Sequence, residues 1–258
     1  MKSSVMRINE YLTALMLIFI CARSADAAIL FYDNFTGPVI GPAWTTALPD
    51  AWQRTPQTSG TATYIGAPGF VSFGVLDGAS VLKLDDILND ASRVGWSSTA
   101  VIAPTKTPII CEVRFNTLTL GPTTSIDGFM ELWLLDATDQ TKYDKVSLVA
   151  PEYGSGRVFD AFSSVTNAHL DSVDAGSDFT FADNTWYRMV LTGSMTQGLR
   201  AEIWDDSGKI LIGTELGHSL SAYSSGFRVG ISQVMGAPGA FYPTNVAIDY
   251  VEVLTGAK

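Results

Sequence analysis

Four short runs in the last third of the chain alternate apolar and polar residues with a period of two. This alternation is typical of strands that bury one face and expose the other. Turn-forming residues separate the runs, among them Asp205-Asp206-Ser207-Gly208. The runs span 186–192, 199–204, 227–234 and 246–254. Together they predict an antiparallel sheet, and the rest of the chain has to fold around it.

Composition supports a single β-rich domain. The chain has 258 residues, of which 47% are hydrophobic and 16% are charged, so it can bury one sizeable core. Its 23 glycines favour many short strands joined by tight turns. The formal net charge of -10 argues against binding nucleic acid or anionic lipid through a basic face. Neutral saccharides and divalent cations remain compatible with this charge.

The N-terminal segment has the parts of a secretory signal. Lys2 and Arg7 precede an apolar run over 12–22, and Ala25-Asp26-Ala27 supplies a small-residue cleavage site. The run is too short to span a bilayer. We therefore predict a signal peptide over 1–27 and a mature domain over 28–258 that is secreted, periplasmic or extracellular, monomeric and without a membrane span. Cleavage leaves Cys111 as the remaining cysteine, so an intrachain disulfide cannot form.

The middle of the chain carries the pattern most typical of a ligand face. In 128–135, strand alternation places Glu131 and Trp133 on the side opposite Leu132 and Leu134. A carboxylate beside an exposed indole suits a sugar, because the indole stacks on the ring and the carboxylate holds hydroxyls. The next run, 143–149, places Tyr143 and Lys145 together on one side. The ligand-binding positions that we predict are Trp133, Glu131, Tyr143, Lys145, Trp96 and Arg114.

Particular strand motifs resemble a known superfamily. The Trp186-Tyr187-Arg188 start, the Phe227-Arg228-Val229-Gly230-Ile231 run and the final Ile248-Asp249-Tyr250-Val251-Glu252-Val253 strand resemble the closing half of concanavalin A-like lectin/glucanase jelly rolls. The run from Phe31 to Phe35 resembles the opening strand of that class, which pairs with the final strand. The resemblance implies an all-β, antiparallel two-sheet jelly-roll sandwich that holds a poly- or oligosaccharide on its concave sheet. It does not decide between binding and cleavage.

The catalytic pattern of the superfamily is missing from the predicted ligand strand. Its glucanases carry Glu-Xaa-Asp-Xaa-Xaa-Glu; with Glu131 first, the second place falls on Trp133 and the third on Asp136. Because one carboxylate cannot serve as both acid and base, binding is favoured. An endo-acting glycoside hydrolase that pairs Glu131 with Glu112 or Glu152 stays open. So does a polysaccharide lyase that uses Tyr143, although its strand motifs are absent and the acidic chain would repel a polyuronate.

The resemblance also implies a structural calcium ion. In related proteins an Asp of the final strand binds calcium together with carbonyls from the first strand and an early Gly turn. The matching positions here are Asp249, Asp33 and Gly78. Calcium uses carbonyl oxygens freely, so one or two carboxylates suffice. No organic cofactor is expected, and His169 and His218 lack the spacing of a zinc or Ser-His-Asp site.

Overall fold

The computed structural model describes residues 27–36, 43–45, 71–85, 93–119, 129–149, 158–171, 179–234 and 245–256. The expected signal segment and Glu152 fall outside these ranges. The described residues form strands and one short 3-10 helix, Leu220–Tyr223. The strands are β1 (Ala28–Asp33), β2 (Trp44–Thr45), β3 (Val71–Leu76), β4 (Ala79–Asp85), β5 (Arg93–Ser98), β6 (Ile109–Thr119), β7 (Phe129–Asp136), β8 (Tyr143–Val149), β9 (Val158–Ser163), β10 (Ala168–Asp171), β11 (Trp186–Gly193), β12 (Gly198–Asp205), β13 (Ile210–Ser219), β14 (Phe227–Val234) and β15 (Asn245–Thr255).

The described strands form two antiparallel sheets. The first sheet has the order β13-β12-β11-β6-β15-β4-β3, and β1 also pairs with β15. The second sheet has the order β10-β9-β8-β7-β14-β5-β2. The prediction of an all-β, two-sheet antiparallel sandwich is therefore confirmed.

The core lies between the two sheets because each central strand turns alternate side chains inward. Val113 of β6 and Val253 of β15 meet Leu132 of β7 and Ile231 of β14 in one cluster of buried side chains. Each such side chain stabilises the fold by about 1.5–3 kcal/mol relative to an exposed one. Cys111 belongs to this cluster, and burial raises the pKa of its thiol.

The first strand that the structure describes lies beside the last one, as predicted. The register of β1 against β15 runs from Ala28 opposite Thr255 to Asp33 opposite Val251. Asp33 fixes the end of β1: its Oδ1 accepts from the Phe35 backbone N–H at 2.8 Å and its Oδ2 from Trp44 Nε1 at 2.6 Å. These bonds hold Phe35 at a φ of 51°, which bulky residues rarely adopt, with its ring stacked on Trp44.

Four strands escaped the sequence prediction, namely β2, β9, β10 and β13. The strand β13 is an edge strand whose residues are mostly exposed or half-buried, so it lacks a sharp two-residue alternation. The four C-terminal runs are strands as predicted, but β14 joins the second sheet while β11, β12 and β15 lie in the first.

Candidate functional site

Strand registers align two rows of side chains on the outer face of the second sheet. The interleaved residues Leu132, Val146 and Ala161 belong to the core, so both rows point away from it. The polar row is formed, in strand order β14, β7, β8 and β9, by Ser232, Glu131, Ser147 and Asp160. The mixed row beside it is formed, in strand order β7, β8, β9 and β10, by Trp133, Lys145, Phe162 and His169. This is the face that we predicted to hold the ligand.

A hydrogen-bonded network fixes one end of both rows. Lys145 Nζ donates to Glu131 Oε1 at 2.6 Å, and Ser232 Oγ donates to Glu131 Oε2 at 2.6 Å. Trp133 Nε1 donates to Ser232 Oγ at 2.9 Å, and Lys145 Nζ lies 5.4 Å from the centroid of the Trp133 ring. Because the Lys145 and Glu131 side chains are 3% and 0% exposed, this is a buried ion pair, and each carboxylate oxygen has a donor.

Burial corrects one part of the predicted site. Trp133 and Glu131 are both 0% exposed, so Trp133 does not offer the exposed indole that a stacking platform requires. Accessibility increases along the mixed row: Phe162 is half-buried, and the His169 side chain is 48% exposed. Tyr143 is also half-buried, and its ring centroid lies 5.1 Å from that of Trp133 and 5.6 Å from that of Phe162. The accessible end of this face therefore consists of Tyr143, Phe162 and His169.

Two predicted ligand positions lie elsewhere. Trp96 is opposite Ile231 and is buried in the core between the sheets, because Ser97 rather than Trp96 faces outward on β5. Arg114 lies on the outer face of the first sheet. Its guanidinium contacts Asp206 Oδ1 at 2.7 Å and Asp249 Oδ2 at 2.5 Å, and stacks over the Trp186 ring at 4.1 Å. Neither side chain is brought to Trp133.

The structure also separates Glu112 from Glu131. Cys111 and Val113 point into the core, so Glu112 points to the outer face of the first sheet, where its Oε1 accepts from the Tyr250 hydroxyl at 2.6 Å. Burial and then this bond raise the pKa of Tyr250. The two glutamates thus lie on opposite sides of a sandwich whose sheets are about 10 Å apart. The prediction that Glu131 and Glu112 act together as acid and base is wrong, because hydrolysis needs both carboxyl groups at one bond.

The three expected calcium positions do not form a ready ligand set. Asp249 is neutralised by Arg114, and both Asp33 oxygens accept from N–H donors. Gly78 lies in the turn between β3 and β4 with a φ of 85°. Within the described ranges, no group of three or more His, Cys, Asp or Glu side chains is arranged to hold a metal. The Asp249 and Asp33 carboxylates would have to exchange these partners to bind the calcium ion that the resemblance implies.

Sequence reasoning missed a buried cluster that joins the two sheets. Asp144 of β8 accepts from the Tyr223 hydroxyl, and its Oδ1 lies 3.0 Å from Nε2 of His218 on β13. Ser163 Oγ lies 3.1 Å from the same nitrogen, while His218 Nδ1 lies 3.0 Å from the Ser219 carbonyl oxygen. Serine and aspartate share one ring nitrogen, so the cluster is not a Ser-His-Asp relay, which uses both. No local motif signals it, since Asp144 and His218 are 74 positions apart.

Both ring nitrogens of His218 face acceptors, the Asp144 carboxylate and the Ser219 carbonyl oxygen, and this arrangement favours the protonated ring. Burial lowers the pKa of His218, but the hydrogen bond and negative charge of Asp144 outweigh burial, so the net pKa is raised above 6.5. The cluster therefore acts as a charged clamp between β13 of the first sheet and β8 and β9 of the second.

These sheets define the concanavalin A-like fold shared by lectins and glucanases. An endo-1,3-β-glucanase from Streptomyces sioyaensis is similar, with a TM-score of 0.56 and 14% identity over 92% of this chain and 99% of that one. A structure from work on endo-acting O-glycanases of human gut microbiota has a TM-score of 0.55 and 17% sequence identity. The match covers 89% of this chain and 100% of that one. Peanut lectin has a TM-score of 0.56 and 12% sequence identity, and the match covers 91% of this chain and 100% of the lectin chain.

At these identities the likeness establishes the fold alone. No protein-family model and no curated protein matches the chain. A search of the described residues for a helix long and apolar enough to cross a membrane finds none.

Proposed function

We propose that this chain is a secreted carbohydrate-binding protein that holds an oligo- or polysaccharide on the outer, concave face of its second sheet. The observation that carries the proposal is the pairing of two rows on this face, one polar and one rich in aromatic rings. Sugars present C–H faces that pack on aromatic rings and hydroxyls that need hydrogen-bonding partners. Binding sites typically combine such apolar lining with a few well-placed polar groups.

The accessible end of the face supplies both kinds of contact. The Tyr143 and Phe162 rings lie 5.6 Å apart and offer a half-buried apolar surface to a sugar ring. Next to Phe162, the His169 imidazole is placed to meet hydroxyls, and its Nε2 lies 2.7 Å from Asp160 Oδ1. The buried Lys145, Glu131 and Trp133 below them act as a frame that keeps Tyr143 in position.

Binding is favoured over cleavage by the partners of Glu131. Its two oxygens are occupied by Lys145 and Ser232, and Glu112 lies across the sandwich. The solved relatives include both lectins and glycan-cleaving enzymes, so the fold is compatible with either role. The alternative is an endo-acting glycoside hydrolase or polysaccharide lyase on the same face.

Calorimetric titration of the mature chain against a panel of polysaccharides tests the proposal. We expect one or more neutral glycans to bind, and Phe162→Ala to weaken that binding at least tenfold, because it removes the stacking surface. Tyr32→Ala is the matched control, since Tyr32 is an aromatic residue 48% exposed on the first sheet. Binding to no glycan, or equal loss in both variants, would contradict the proposal. Release of reducing ends or of unsaturated products would instead support the enzyme alternative.

Secretion and a monomeric state belong to the same proposal. The sequence over 1–27 supports export, with cleavage after Ala27. Mass spectrometry of exported protein should give a chain that begins at Ala28, and light scattering should give the mass of one such chain. Retention of the first 27 residues on exported protein would contradict the predicted cleavage.

A further inference from the structure

The mixed row on the outer face of the second sheet is closed at one end and open at the other. Trp133 on β7 is 0% exposed, and Lys145 on β8 is 2% exposed. Phe162 on β9 is half-buried, and the His169 side chain on β10 is 48% exposed. These four residues lie opposite one another on consecutive strands, so accessibility increases steadily towards the edge of the sheet.

The closed part of this face extends over the central strands. Glu131 on β7 and Ser147 on β8 are 0% exposed, as are Ser232 on β14 and Ser97 on β5. The strand registers place all four on the outer face together with Trp133. A side chain without accessible surface makes no contact with a ligand. At these positions of the described structure, the central strands therefore offer a saccharide no contact.

We infer that this protein binds a short segment of a saccharide at an open patch formed by Tyr143, Phe162 and His169, and does not hold a long chain across the whole sheet. The inference rests on the proposed function and adds the length of ligand that the site takes. The open patch spans β8, β9 and β10, which is about 10 Å because neighbouring strands are about 4.8 Å apart. Sugar units beyond the open patch extend into solvent, where they gain no contact.

The three rings of the open patch form one continuous apolar surface. The Tyr143 and Phe162 centroids lie 5.6 Å apart, and the Phe162 and His169 centroids lie 6.3 Å apart. Tyr143 also lies 5.1 Å from the buried Trp133 ring, which supports it from the closed side. A site gains affinity only from the groups that it contacts, so these rings limit how much a longer ligand can gain.

A short open patch also disfavours internal cleavage of a polysaccharide. An endo-acting enzyme has to position sugar units on both sides of the bond that it cleaves. With Glu131 at that bond, these units would lie over Trp133 and Ser147, which are 0% exposed. The open patch therefore agrees with a binding role rather than with an endo-acting one.

Calorimetric titration of the mature chain with trisaccharides and hexasaccharides tests this inference. The probes are matched pairs from β-1,3-glucan, β-1,4-glucan, β-1,4-xylan and β-1,4-mannan. For each glycan that binds, we expect the Kd values of the two lengths to agree within about threefold, because a longer chain adds equivalent binding positions but no new contacts. A cleft that spans the sheet would instead strengthen binding of the hexasaccharide by more than about tenfold.

Two variants locate the contacts. Phe162→Ala should weaken binding of the trisaccharide and of the hexasaccharide by the same factor, because both occupy the open patch. Arg228→Gln is the control, since Arg228 is half-buried on the outer face of β14, outside the open patch. It should leave both affinities unchanged. A loss for the hexasaccharide alone in Arg228→Gln would show that the chain crosses the sheet, and would overturn the inference.

The outcomes separate this inference from the proposed function. If a hexasaccharide binds more than about threefold tighter than its trisaccharide, the inference is overturned, while the proposed function stands. The same holds if a polysaccharide binds and neither of its two oligosaccharides does. If the wild type binds no saccharide of any length, the proposed function fails, and this inference falls with it.

Discussion

Individual residues show what strand alternation can and cannot predict. The pattern around Glu131 and Trp133 correctly placed both on the face opposite Leu132 and Leu134. It did not predict that both would be fully buried. A strand's own sequence determines the side to which each residue points, whereas exposure depends on what else packs over that side. Trp96 and Arg114 were misassigned for another reason, because alternation does not tell which side of β5 meets the core or which sheet β6 joins.

The buried Lys145–Glu131 pair gives a prediction at this scale. Lys145→Met leaves the Glu131 carboxylate buried without its cation, so we expect the free energy of unfolding to fall by about 3–5 kcal/mol. Lys145→Met combined with Glu131→Leu should recover much of this loss, because no charge is then stranded. Urea denaturation measures both variants.

The control for this experiment is an exposed ion pair. Arg200 and Glu215 are 44% and 55% exposed, so Glu215→Gln should cost less than about 1 kcal/mol. A loss for Lys145→Met no larger than that of Glu215→Gln would show that the Lys145–Glu131 pair is not buried in solution.

At the scale of elements, strands with strong alternation were predicted almost to their ends, and weaker ones were not. The predicted runs 227–234 and 143–149 coincide with β14 and β8. The edge strand β13 was missed, because few of its side chains are buried. The sheet to which a strand belongs cannot be read from alternation either. Alternation shows which residues share a face of the strand, but not which strands lie beside it. The clamp that holds β13 to the second sheet depends on Asp144, which lies far from His218 in sequence.

The clamp predicts a pH dependence of stability. The pKa of His218 is higher in the folded protein than in the unfolded chain, because the effect of Asp144 exceeds that of burial. Its contribution is therefore fully present below the unfolded pKa of about 6.5 and is lost as pH rises through the folded pKa. Urea denaturation between pH 5.5 and 8.5 should show that the free energy of unfolding of the wild type exceeds that of His218→Gln by less and less as pH rises. A constant difference across this range would refute the charged clamp.

At the scale of the whole molecule, the core between the sheets holds the described residues together, and their one cysteine, Cys111, is free and buried. The predicted pairing of first and last strands is confirmed, and the Asp33 carboxylate accepts from Phe35 N–H and Trp44 Nε1 at the end of β1. The sequence motif was sound as a guide to topology. It could not show that an arginine from β6 would occupy the carboxylate of Asp249.

Metal removal tests this account of stability. We expect excess EDTA to leave the melting temperature unchanged, because Asp249 is paired with Arg114 and both Asp33 carboxylate oxygens already accept hydrogen bonds from N–H donors. Differential scanning calorimetry with EDTA and with added calcium makes the comparison. A melting temperature that rises with calcium concentration would show that an ion binds the folded state after all.

The central claim is that the outer face of the second sheet binds a saccharide. Its most direct test is amide hydrogen exchange of the mature chain with and without a neutral oligosaccharide identified by titration. The account predicts new protection in β8, β9 and β10, around Tyr143, Phe162 and His169, with the first sheet unchanged. Protection confined to β11, β12 and β15 of the first sheet would contradict it.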